Sequence, residues 1–134
     1  MRTRKIESGS ISQTAVEHVH VAIVGSGFAG IGAAIQLQKR GIHDFVLFER
    51  AADVGGTWRD NSYPGCACDV ESHLYSFSFA PNPNWSRTFS PQPEIFAYLR
   101  RTAAEHGILA HMRFGHELLN ARWDESAARW SIVT

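Results

Sequence analysis

Residues 25–30 read Gly25-Ser26-Gly27-Phe28-Ala29-Gly30, a G-x-G-x-x-G spacing that directly follows the short apolar run Val19-His20-Val21-Ala22-Ile23-Val24. Glycines gather in turns for many reasons, so the spacing alone says little. Its context says more. The run before it is β-branched and stops at Gly25, as a buried strand does. The stretch after it, Ala29 to Arg40, carries Ile31, Ala34, Ile35 and Leu37 at near-helical spacing and closes at Gly41. A second β-rich run, Phe45-Val46-Leu47-Phe48-Glu49, follows. Strand, helix and strand within about 30 residues make a βαβ unit with parallel strands and a right-handed crossover.

In that context each glycine has a task. Gly25 allows the tight turn, Gly27 lets a pyrophosphate approach the backbone, and Gly30 lets helix and strand pack closely. The unpaired N–H groups and positive end of the helix then face the phosphates. Glu49 ends the second strand 19 residues past Gly30, where an acid accepts hydrogen bonds from a ribose hydroxyl pair. An acid there disfavours a ribose 2′-phosphate, so NADP in this site is not expected; FAD and NAD remain.

From Arg50 to Pro93 the pattern changes to a long segment punctuated by glycine and proline, with four aromatics between Tyr75 and Trp85. A long loop in a compact domain is functional or disordered, and aromatic content argues against disorder. Glu94 to His106 then reads as a helix opened by Pro93 and stopped by Gly107. A parallel strand is expected near Arg113-Phe114. Leu118–Trp123 and Arg129–Val133 alternate around Asp124-Glu125-Ser126 as a hairpin, with Trp123 and Trp130 packing across it.

Composition narrows the function classes. With 13 Lys+Arg against 13 Asp+Glu, the chain lacks the electrostatic footprint of a nucleic-acid binder. No apolar run approaches the ~20 residues of a membrane span. Cys66 and Cys68 stand too close for an easy bridge and do not match zinc spacing, so no metal is expected and a reducing cytoplasm is. Residues 1–17 are polar, lack the apolar stretch of a secretory signal and read as a disordered extension ahead of a domain over 18–134.

Further motifs follow the second strand: Glu49-Arg50, Asp53-Val54-Gly55-Gly56-Thr57-Trp58, Asn61, Tyr63-Pro64-Gly65, Cys68-Asp69, Ser72, Tyr75 and Ser76-Phe77-Ser78-Phe79. Gln92-Pro93-Glu94-Ile95 and Tyr98-Leu99 continue them. Together these resemble the class B flavin-dependent monooxygenases, specifically the Baeyer–Villiger branch typified by cyclohexanone and phenylacetone monooxygenases. The resemblance runs from His18 to Thr134.

It implies a Rossmann-like FAD-binding domain: a parallel sheet with helices plus a hairpin or meander, an incomplete doubly wound α/β fold. It implies that Gly25, Gly27 and Gly30, with Phe28 and Ala29 between them, carry the FAD phosphates, and that Glu49 and Arg50 serve the adenosine ribose. Gly56, Thr57 and Trp58 would lie toward the flavin. Asp69, in a supporting catalytic role, and Tyr75 would line the ring's neighbourhood, and the backbone near Leu118 would meet the adenine. As bare side chains, Trp58 and Tyr75 also fit core positions, and Asp69 fits a turn.

The family's reaction uses NADPH and O₂ to convert a ketone to an ester or lactone. Its second glycine motif, its F-x-G-x-x-x-H-x-x-x-W sequence and its active-site arginine are not found here. The chain is therefore expected to be a partial domain, not catalytically complete alone. A related flavin monooxygenase oxidising nitrogen or sulfur, and a non-catalytic FAD-binding module, are the alternatives.

Overall fold

The computed structural model describes residues 16–134. Of the expected extension over 1–17, only Val16 and Glu17 lie within the described residues; the rest falls outside them. Glu17 is exposed, and its carboxylate pairs with Arg113.

The elements run β1 (Val21–Val24), α1 (Phe28–Lys39), β2 (Phe45–Glu49), α2 (Thr57–Asp60), α3 (Gln92–Glu105), β3 (Met112–Phe114), β4 (Asn120–Asp124) and β5 (Arg129–Val133). Short 3₁₀ turns at Ser72–Leu74 and Ile108–His111 interrupt the connections. β1, β2 and β3 form a parallel sheet in that order, with Val21 opposite Phe45 and Leu47 opposite Met112. Both crossovers step in the same direction, so the right-handed rule sends α1 and α3 to one face of the sheet. The expected doubly wound arrangement is thus represented, among the described residues, by helices on a single face.

Alternation along β2 explains the core. Phe45 and Leu47 share one face and join Ile31, Ala34 and Ile35 of α1 with Ile95, Leu99 and Ala103 of α3 in a single buried cluster. Fully burying one side chain of this size contributes about 1.5–3 kcal/mol. β1 is an edge of this sheet, and Val24 is 54% exposed, so the strand expected to be buried is only half-buried. His20, expected within it, lies one residue before it.

The helix expected over Glu94–His106 begins two residues earlier. Pro91 is its N-cap in an extended conformation, and Pro93 falls in the first turn, where a missing N–H costs no internal bond. The long segment before it is ordered by contacts distant in sequence. The Ser72 amide donates to the Thr88 carbonyl at 2.7 Å, and the Cys68 amide to the Ser90 carbonyl at 2.9 Å. The Ser72 hydroxyl reaches the carbonyls of Arg87 and Thr88 and the Ser90 hydroxyl. Cys66 and Cys68 are buried free thiols in this segment.

β4 and β5 form a separate antiparallel hairpin in the expected register. Trp123 sits opposite Trp130 with ring centroids 5.7 Å apart, and both are exposed. No helix among the described residues is long and apolar enough to cross a membrane.

Candidate functional site

The phosphate-type turn forms as its spacing requires. Gly25 adopts φ +92°, a left-handed conformation that links β1 to the following turn. Gly30 faces that turn from the first coil of α1. A Cβ built on Gly30 would lie 1.8 Å from the Gly25 carbonyl oxygen, so no side chain fits there. Gly27 is different: its Cβ would meet only the Gly56 Cα, at an ordinary 3.8 Å. The chain itself tolerates a methyl at this position, so a need for glycine here comes from whatever approaches the turn.

A cavity of about 410 Å³ opens beyond the carboxyl ends of the strands, where ligands bind in open α/β sheets. Gly25 and Gly27 line it from β1 and α1, Glu49 and Arg50 from β2, and Gly56 and Thr57 from α2. His116, Glu117 and Leu118 close it from the segment after β3. The first N–H groups of α1 have no partner within the helix, and α1 carries no acidic side chain in its first turn to compete for an anion.

Glu49 is 4% exposed and held from three sides. Its Oε2 accepts from the Ser26 amide at 2.9 Å and the Ser26 hydroxyl at 2.7 Å. Its Oε1 accepts from the Ala51 amide at 2.9 Å and pairs with the Arg59 guanidinium at 3.1 Å. Burial alone would raise its pKa. The hydrogen bonds from Ala51 and Ser26 and the charge of Arg59 together outweigh burial and bring it down to about 2. The carboxylate is therefore ionised and oriented at neutral pH.

The remaining expected residues separate into two groups. Phe28 starts α1, but its ring turns away from the cavity into an aromatic cluster, 5.1 Å from Tyr75 and 5.0 Å from Phe77. Trp58 is buried in the hydrophobic cluster; its indole N–H donates to the Tyr75 hydroxyl at 3.0 Å, with the rings edge to face. The Gln92 side-chain amide donates to the Trp58 carbonyl. Asp69 is exposed and does not line this cavity. Ala29, exposed, and Gly30, buried, lie in the first coil of α1, and neither lines the cavity.

Ser26 and Asn61, motif positions assigned no site role from the sequence, line the cavity, as do Arg59, Asp60, His116 and Glu117, which sequence reasoning missed. His116 and Glu117 were within reach of a topological argument: the end of a third parallel strand lies beside the end of the second. Arg59 had no such signal, because its approach to Glu49 depends on how the loop before α2 folds back.

These features have counterparts in known proteins. The model of the NAD(P)-binding Rossmann-like domain matches residues 23–102. A Baeyer-Villiger monooxygenase of Streptomyces coelicolor is 62% identical over 118 residues, covering 88% of this chain and 23% of that protein. The solved structure of an oxidized steroid monooxygenase bound to NADP superposes with a TM-score of 0.81 at 40% identity, covering 85% of this chain and 22% of that one. OTEMO in complex with FAD and NADP also superposes at 0.81, with 32% identity, covering 89% of this chain and 23% of that one. The chain thus spans less than a quarter of the length of the relatives it matches. It belongs to the NAD(P)-binding Rossmann-like domain family, and its relatives within that fold are Baeyer–Villiger and other FAD-binding monooxygenases.

Proposed function

We propose that this chain is the FAD-binding part of an NADPH- and O₂-dependent monooxygenase that oxidises ketones to esters or lactones. The observation that carries the reading is the ionised, oriented Glu49 beside the Gly25–Gly30 turn, in a cavity that Gly56 and Thr57 also line. The site fits a dinucleotide: Gly27 leaves room for a pyrophosphate against the backbone, the α1 amides meet its charge, and Glu49 accepts from the adenosine ribose in place of the rotatable Ser26 hydroxyl. Arg50 and Leu118 line the same cavity; Arg50 is assigned to that ribose and the Leu118 backbone to the adenine.

Bound FAD supplies the redox and oxygen chemistry, and the protein supplies orientation, shielding from water and local charge. Thr57 and Trp58 lead from the adenosine half toward the flavin half. Trp58, locked by Tyr75 and Gln92, gives that end a rigid apolar support. Asp69, exposed and outside this cavity, is assigned a supporting role toward the flavin end. NADPH, the ketone and O₂ are assigned to the proposed longer protein and not to this segment, which spans 23% of its Streptomyces coelicolor relative. The cofactor-binding unit is taken as 18–134, following the extension over 1–17. The free thiols and balanced charge support a reducing, cytoplasmic setting without nucleic acid or membrane as partner.

Segment exchange tests the activity. The Streptomyces coelicolor relative with its matching 118 residues replaced by those of this chain is expected to retain FAD and NADPH-dependent ketone oxygenation. A chimera that folds and holds FAD yet oxygenates no ketone contradicts the assignment.

A further inference from the structure

We infer that Arg59 is a positioning residue that holds Glu49 for the adenosine ribose and ties the two ends of the cofactor site together through α2. The inference rests on the proposed reading of Glu49 as the ribose acceptor. α2 is only four residues long, and its side chains face different surroundings. Thr57 lines the cavity, while Trp58 is sunk in the core and fixed by Tyr75 and Gln92. That anchor turns Arg59 back toward the end of β2.

There the guanidinium is fixed on three sides. Asp60 takes it in a two-pronged contact, Nε to Oδ1 at 2.8 Å and Nη2 to Oδ2 at 3.1 Å. Its Nη1 donates to the Asp53 carbonyl and pairs with Glu49 Oε1 at 3.1 Å. The Arg59 side chain is 15% exposed and that of Glu49 5%, so the pair is shielded from water. With Nε and Nη2 held by Asp60, the planar guanidinium brings Nη1 to Glu49 Oε1 from one fixed direction, which a mobile ammonium does not do. The positive charge also offsets the repulsion between Glu49 and a neighbouring pyrophosphate.

The test compares FAD with an FAD analogue whose adenosine lacks both ribose hydroxyls, titrated by flavin fluorescence into the full chain and its R59Q and R59K variants. R59Q is expected to weaken FAD binding about 10- to 100-fold, the range for losing a charged hydrogen-bonding partner, with R59K less affected. Most of that penalty should vanish with the analogue, which has no ribose hydroxyl for Glu49 to accept. A purely structural role for Arg59 gives equal penalties with both ligands and overturns the inference, as does unchanged FAD affinity in R59Q. If R59Q does not fold, R59K keeps the charge but loses the fork, and the same comparison of ligands decides. A wild-type chain that binds neither ligand refutes the cofactor assignment itself, a separate outcome from equal penalties.

Discussion

Glu49 joins ligand chemistry and stability in one side chain. Its carboxylate titrates at about 2 in the folded chain against an ordinary value of 4.5. A depressed carboxyl pKa stabilises the fold above the unfolded value, and that contribution is lost as pH falls from 4.5 toward 2. Its size is on the order of 3 kcal/mol. Denaturant unfolding as a function of pH should show wild-type stability dropping across this window. Glu49→Gln should be less stable at neutral pH and should lack this part of the drop. Parallel profiles for the two proteins would assign the acid sensitivity elsewhere. The acid itself is legible in the sequence because the fingerprint fixes where the second strand ends. Its partners are only partly so: Ser26 belongs to the fingerprint, whereas Arg59 reaches Glu49 through an irregular loop that no local periodicity encodes.

The connection before α3 shows how an irregular segment becomes rigid. Tyr98, on the inner face of α3, is 2% exposed. Its hydroxyl donates to the Ala80 carbonyl at 2.8 Å and accepts from the Phe77 amide at 2.8 Å. Burial raises its pKa, so the phenol stays protonated to donate. Tyr98→Phe leaves both backbone groups without this partner and should lower stability by about 1–3 kcal/mol in denaturant titration. An unchanged midpoint would mean that the loop is held by its aromatic packing alone. The helix face bearing Ile95, Leu99 and Ala103 was legible from spacing. The Ser72–Thr88 and Tyr98–Phe77 contacts were not, since each joins residues far apart in the chain and leaves no periodic trace. Trp58 and Tyr75 illustrate the overlap between packing and ligand support: Trp58 of α2 is buried in the core, Tyr75 is half-buried against it, and a hydrogen bond joins them near the flavin end of the proposed arrangement.

At the scale of the whole molecule, three parallel strands end at one edge, and each contributes to the same cavity. β1 brings the glycine turn, β2 the acid, and β3 the segment His116–Leu118. That convergence follows from the order of the strands more than from any single motif. The family match and the relatives' names agree with it, while the chain spans 23% of its Streptomyces coelicolor relative. NADPH-dependent oxygen use therefore belongs to the proposed larger assembly, and dinucleotide binding is the property to measure on this chain. The most direct measurement is fluorescence titration of FAD into the chain and into Gly27→Ala, with thermal unfolding of both proteins in the absence of FAD. Because a Cβ at residue 27 meets only the Gly56 Cα at 3.8 Å, the variant should fold with a stability loss of about 1 kcal/mol or less. Its FAD affinity should fall at least about tenfold, through loss of close backbone approach to the pyrophosphate. Saturable FAD binding by the wild-type chain, weakened in a folded variant, is the predicted result; no wild-type binding, or equal affinity in the variant, would contradict the account.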